Sequence, residues 1–303
     1  MIGGTKASAA TLSVASNAVL IALKIAAGAI TGSIALLTEA AHSGIDLVAS
    51  VIALVSVRKA DEPPDREHQY GHEKAENLAA AIEGMLILVG AAVIIYEATR
   101  RLVVGVHLEH LGVGLAVIGV SALANLAVSA YLSRRARALR SAALEGDAAH
   151  LRTDAYTSIG VFVGLGLAAI TGSDAFDPIA ALAVAVAIVV AGLRILTRSS
   201  RVLLDEAPPP EELDRIEAAI AAARPPEMVG YHKLRARRAG ARDYIDLHVQ
   251  FRSGTTLERA HSLAHLLRDA IEAEVDSDVL IHVEPEGAVR DPASPAVAPY
   301  RAG

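Results

Sequence analysis

The 303-residue chain has no cysteine. Disulfides and thiolate ligands are therefore excluded, and any metal chemistry must use His, Asp and Glu. Tryptophan is also absent and aromatics make up only 3% of the chain. The aromatic belt that usually marks a membrane interface is accordingly thin, with Tyr96 and Tyr131 as its remnants. There is no excess of positive charge: the net charge is −6, which gives no hint of nucleic-acid binding. The HExxH signature of zinc hydrolases does not occur, which weighs against an intramembrane metalloenzyme, the alternative from a different functional class. The first residues, MIGGTKASAATLSV, lack the short apolar core and small-residue cleavage site of a signal peptide and lead directly into a long apolar run.

What the chain has in abundance is apolar length. Hydrophobic residues make up 53% of it and its mean hydropathy is +0.40, the signature of a membrane protein with a soluble part. Six segments are predicted to span a bilayer, which takes about 20 residues each: 9–30, 33–56, 77–96, 111–132, 142–170 and 178–196. Only Thr31 and Gly32 separate the first two, which predicts a tight helical hairpin. An even number of spans puts both termini on one side. Arg58, Lys59, Arg66 and Lys74 follow the second span, Arg134, Arg135, Arg137 and Arg140 the fourth, and Arg198 and Arg201 the sixth. By the positive-inside rule the termini and these loops are expected in the cytoplasm, as in a multi-pass protein of a bacterial inner membrane.

The composition changes after Arg201. The domains are expected at 7–200 (six membrane helices), 201–209 (a Pro-rich linker), 210–287 (a cytoplasmic domain) and 288–303 (a Pro/Ala-rich disordered tail). Pro210, Glu211 and Glu212 open an amphipathic helix that ends before Pro225. YHKLRARRAG and RDYIDLHVQFR read as a β-hairpin. TTLERAHSLAHLLRDAIEAEV is a second amphipathic helix capped by Thr255 or Thr256, and SDVLIHVEPE a last strand. The fold class is thus a membrane all-α six-helix domain plus a cytoplasmic α+β domain of order α-β-β-α-β, ferredoxin- or metallochaperone-like, with its helices on one sheet face.

Polar residues inside the apolar segments carry the functional argument. In SIALLTEAAHSGIDLVASVIALVS, His42 and Asp46 are four apart and share a helix face. DAAHLRTDAYTSIG repeats the spacing with His150 and Asp154. Polar residues can bind membrane helices together, but an ionised carboxylate at mid-membrane costs several kcal/mol. Two imidazoles and two carboxylates are the donor set of a four-coordinate, roughly tetrahedral divalent cation site, which suits Zn2+ best; cadmium, cobalt, iron and manganese stay open. Glu39 either orients a ligand, accepts a proton or sits near the outer water. Asn17 and Asn125 read as packing residues. Lys24 snorkels or lines an aqueous cavity, and Glu83 is expected to face water or another helix, with no assigned role. In the loop DREHQYGHEKAE, Asp65, His68 and His72 offer three ligands, set against the plain reading of a solvated loop. In the last segment His232, His248, His261 and His282 fall on different elements, with Glu284 on the strand face of His282.

GSIALLTEAAHSGID, PPDREHQYGHEKAEN and HLRTDAYTSIG, in that order, resemble the cation diffusion facilitator family over about residues 7–285. The resemblance implies a homodimeric exporter that exchanges a divalent cation, Zn2+ foremost, for protons. It places His42, Asp46, His150 and Asp154 at the transport site and Asp65, His68 and His72 at a loop site. It places His232, His248, His261, His282 and Glu284 at a two-metal site in the cytoplasmic dimer interface, where Glu284 stands in place of Asp. It also implies an interlocking charge contact between Lys74 and Asp205, and Glu39 stands where many zinc members carry Asp.

Overall fold

The computed structural model describes residues 5–31, 34–104, 112–171, 173 and 175–287; the side chains of 31, 34–39, 41, 42, 45, 112–115, 117, 165, 168 and 169 lie outside the described set. Of the expected hairpin turn at Thr31 and Gly32 only Thr31, the last helical residue, is described, and the tail at 288–303 lies outside the described residues. The chain divides into two compact units, Met1–Arg201 and Val202–Gly303.

The first unit consists of six long helices: α1 (Lys6–Thr31), α2 (Ile34–Ala60), α3 (Lys74–Val104), α4 (Gly112–Leu139), α5 (Ala142–Thr171) and α6 (Phe176–Leu203). Each predicted span lies within one of them to within a residue at either end, although most helices run on past the apolar segment into charged sequence. The longest extension carries α4 through Arg134, Arg135 and Arg137. Apolarity marks the stretch that suits lipid, whereas the backbone continues helical until the turns at Asp61 and Arg140. By length and composition alone Lys6–Ile30, α3 and α6 are long and apolar enough to cross a membrane.

Packing in this unit is that of a membrane bundle. The side chains that disappear between helices are small: Ala9, Ala10, Ala49, Ala53, Ala79, Ala91, Ala143, Ala148 and Ala155 are all essentially buried. Large apolar side chains, including Val19, Leu23, Val55, Val89 and Val93, point outward. Association of helices in lipid depends on close approach, which small residues permit. α2 packs on α1, α5 on α4, and α3 on α5. One polar tie closes an end of the bundle: Glu76 of α3 accepts from Lys6 of α1 at 2.6 Å and from Ser141 just before α5.

The second unit holds α7 (Pro210–Ala222), β1 (Met228–Ala239), β2 (Arg242–Phe251), α8 (Leu257–Glu274) and β3 (Ser277–Pro285), the order read from the sequence. Pro210 opens α7 where its missing N–H costs nothing. Thr256 caps α8, its hydroxyl accepting from the Arg259 N–H at 3.3 Å. Gly240, at φ 61, makes the hairpin turn. The sheet order is β1-β2-β3, with β1 antiparallel and β3 parallel to β2. Ile245, Leu247, Val249 and Phe251 point from β2 into a core completed by Ile216 and Ile220 of α7 and Leu263, Leu267 and Ile271 of α8. The alternate residues Asp246, His248 and Gln250 are left on the other face.

Candidate metal centres

Three groups of acidic and imidazole side chains, one on the helices and two outside them, bring their ligand atoms within 4.8 Å of one another. In the first, α2 supplies Asp46 and α5 supplies His150 and Asp154. His150 Nε2 lies 3.2 Å from Asp46 Oδ1 and 3.9 Å from Asp154 Oδ2. Donors about 2.0–2.2 Å from one tetrahedral ion stand roughly 3.4 Å apart, so an ion fits among these atoms with small rotations. Asp46 and His150 are buried and Asp154 is half-buried. The i, i+4 spacing stacks His150 over Asp154 on one face, as the sequence suggests. The backbone of His42 continues α2, but its side chain and that of Glu39 lie outside the described residues.

The second group occupies the α2–α3 loop. His68 Nδ1 is 3.4 Å from Asp65 Oδ1, and His72 Nε2 is 3.2 Å from Asp65 Oδ2. The turn is self-organised. Asp65 Oδ1 accepts the backbone N–H groups of Glu67 at 2.8 Å and His68 at 2.6 Å, an Asx-type turn. Gly71, at φ 89, then reverses the chain so that His72 reaches the same carboxylate. The His68 N–H is the largest reason that the Asp65 carboxyl is held below its usual range; burial opposes it, and Glu67 N–H, His72 and His68 add to it. Asp65 is thus an anion, ready to ligate, across the physiological range.

The third group lies on the uncovered face of the three-stranded sheet. His232 pairs in register with His248, and His248 with His282, so one histidine from each strand forms a row. Adjacent ring centroids are 5.2 and 4.6 Å apart. Glu284 spans the row, with Oε1 2.6 Å from His248 Nδ1 and Oε2 3.3 Å from His232 Nε2. His282 Nε2 lies 3.8 Å from the same carboxylate. Burial pushes the Glu284 carboxyl up, but the His248 hydrogen bond and the fields of His232, His248 and His282 bring it below its usual range. Its folded value is therefore below the unfolded one. Its contribution to stability is present above the ordinary Glu value, about pH 4.3, and is lost as pH falls through the folded value. Glu284→Gln removes the anion that ties this row together. It is expected to weaken zinc binding here at least about 10-fold, as measured by titrating a chain that also carries Asp65→Ala and Asp154→Ala.

His261 does not join this group. It stands on α8 with its Nε2 3.0 Å from that of His265, one helical turn on. α8 packs on the opposite sheet face, so no rotation within this chain carries His261 to the row. Asp205 pairs within its own unit with Arg237, at 3.0 Å. Two further acids, Asp147 and Glu83, gain significance only in the folded bundle. Asp147 carries a signal in the sequence, since it lies three residues before His150 on the same helix face. Glu83 carries none beyond being an acid in an apolar segment.

Comparison with known proteins agrees with this division into units. Residues 10–204 match a family model described as the cation efflux transmembrane domain, and residues 208–286 one described as the cytoplasmic domain of cation efflux proteins. An uncharacterised transporter of Synechocystis sp. (strain ATCC 27184 / PCC 6803 / Kazusa) is 34% identical over 286 residues, covering 94% of this chain and 91% of its own. The cation-efflux pump FieF of Serratia proteamaculans (strain 568) is 33% identical over 279 residues, 92% of each chain. Among solved structures, the metal-bound C-terminal domain of the CzcD transporter from Thermotoga maritima is 30% identical, covering 26% of this chain and 93% of that one at a TM-score of 0.25.

Proposed function

Because the chain belongs to the cation efflux family, also called cation diffusion facilitators, and is thus a membrane transporter of cations rather than an enzyme, we propose that it exports Zn2+ in exchange for protons. The observation that carries this reading is the meeting of Asp46, His150 and Asp154 between α2 and α5. His42 is assigned as the fourth ligand from its position one turn before Asp46. Two imidazoles with two carboxylates favour zinc over the harder manganese. The relative from Serratia proteamaculans is named a cation-efflux pump, which agrees with outward movement of the cargo.

Proton coupling follows from the ligands. Imidazole binds metal only when neutral and carboxylate only when ionised, so protons and metal compete for the same atoms. Opening to a neutral cytoplasm loads the cation. Opening to a more acidic outside protonates the histidines and releases it, so the inward proton gradient drives export. Both termini and the Asp65–His68–His72 loop are assigned to the cytoplasm of a bacterial plasma membrane. There the loop gathers cations at the inner entrance. The chain acts as a homodimer, with the histidine row of the second unit holding zinc where the two cytoplasmic domains meet, and His261 reaching that zinc from the partner.

Reconstituted liposomes loaded with a zinc dye test the reading. An imposed pH gradient is expected to drive zinc uphill, with protons moving the opposite way and in proportion. Zinc flux that ignores the pH gradient would make the protein a passive pore and sink the proposal.

A further inference from the structure

The helical unit buries a second pair of carboxylates, apart from Asp46 and Asp154. Glu83 of α3 and Asp147 of α5 are each 0% exposed. Neither oxygen of Glu83 has a hydrogen-bond partner, and neither does Oδ2 of Asp147. The Glu83 carboxylate lies against the backbone of Gly146, next to Asp147. A Cβ at Gly146 would overlap it and sit 3.2 Å from Ala80 Cα. Asp147 Oδ1 accepts from Ser50 of α2 at 2.8 Å, and Ser50 is held in turn by Ser13 and Asn17 of α1, at 3.1 and 2.8 Å. Four helices thus enclose two acids and a short hydroxyl and amide network.

No base hydrogen-bonds to either acid among the described residues, and the imidazole of His150, one turn along α5, acts on Asp147 only through space. On α1, Lys6 is engaged by Glu76 and Lys24 donates to Ser43. On α2 the nearest acid, Asp46, faces His150 of α5. Arg198 of α6 pairs with Glu145 of α5, and α4 has no charged residue before Arg134. An ionised carboxylate with no donor in such surroundings is costly, and two side by side repel each other. One proton on Glu83 eases both problems: it removes the charge that has no donor and ends the repulsion with Asp147.

We propose that Glu83 carries an exchangeable proton, and that it leaves to solvent when a divalent cation enters the Asp46–His150–Asp154 site. Asp147 is one turn from His150, and Ser50 is one turn from Asp46. A double positive charge arriving there favours the ionised form of the pair. This second clause rests on reading the α2–α5 group as a cation site. It gives the exchanger a proton carrier that is not itself a ligand, so proton and metal need not leave the same atoms.

Infrared difference spectroscopy on the full chain in lipid, with no metal added, tests the first clause. A carbonyl band of protonated carboxylic acid that shifts in D2O is expected, absent in Glu83→Gln and displaced in Asp147→Asn. Calorimetric titration of zinc in two buffers of different ionisation enthalpy, with parent and variant both carrying Asp65→Ala and His248→Ala to remove the loop and sheet groups, tests the second. Glu83→Gln is expected to release about one proton fewer per zinc bound than the parent. A band unchanged by Glu83→Gln, or an unchanged proton count per zinc, overturns the proposal. If the parent binds no zinc, the α2–α5 reading fails instead, and the infrared band still decides Glu83.

Discussion

Replacing Asp154 by alanine is expected to abolish zinc-driven proton exchange and to weaken intramembrane zinc binding by at least about 100-fold. Of the three donors that meet between α2 and α5, Asp154 is the one whose loss leaves the others in place. Asp46 would still face His150 at 3.2 Å, and the alanine keeps the helix intact. Without it, a dication would face a single carboxylate among the described ligands, and desolvation of the ion would go uncompensated. The loop and sheet groups are separate clusters, so the count of bound zinc should fall only by the intramembrane share. His72→Ala is the contrast. It removes a loop ligand and is expected to slow transport a fewfold while leaving uphill movement in place. Export by Asp154→Ala at the parent's rate would show that the cation passes elsewhere.

The second large effect concerns the cytoplasmic unit and needs no metal. Arg238 of β1 donates to Asp243 of β2 at 3.0 and 3.2 Å and also pairs with Glu212 of α7. Asp243 is fully buried. Arg238→Ala leaves the buried Asp243 without its cation beside Glu212, to which only Arg215, at 3.8 Å, remains close, a change that costs about 3 kcal/mol or more. In a domain of this size the melting temperature should fall by about 10–20 °C, readable in the full chain as earlier proteolysis of the second unit. Burial already pushes the Asp243 carboxyl above its usual range, with Arg238 pulling it back and Glu212 adding to the rise. Without Arg238 it rises further. A carboxyl raised in the folded state is penalised only once pH climbs above the ordinary Asp value, about 3.9. The deficit against the parent should therefore shrink as pH is lowered from 7. Asp243→Asn in the same chain should restore more than half of the loss. A pH-independent deficit would mean that lost packing, not stranded charge, is the cause.

Much of this architecture can be read in the sequence because it follows from short-range periodicity. The His-x-x-x-Asp pairs, the loop triad and the α-β-β-α-β order each occupy one stretch of chain, and helical or strand spacing settles which residues share a face. Partnership between distant stretches is not encoded in that way. Glu83 comes to lie against Gly146, next to Asp147 in the chain, only because α3 and α5 approach closely where that residue has no side chain. Arg238 serves both Asp243 and Glu212 only once α7 packs on the sheet. The sequence puts His261 on a helix and the other three on strands, but only the packing of α8 carries it to the far side of the sheet from them. Helix ends escape for a different reason. Hydropathy measures what the side chains prefer, whereas a helix stops where its backbone does, so α4 carries three arginines past its apolar stretch.

The histidine row has a consequence for how the second unit assembles. Its three imidazoles come together because His232, His248 and His282 occupy one rung of two ladders. Sliding β3 by a single residue along β2 would turn His282 and Glu284 toward the hydrophobic side and leave the row broken. β3 is parallel to β2 and reaches it through α8, so its pairing is less local than that of the β1–β2 hairpin. An ion held by this rung binds only the correct alignment. A cation bound there would therefore favour the correct strand pairing, which should be readable as more complete refolding of the unit when Zn2+ is present than when it is chelated.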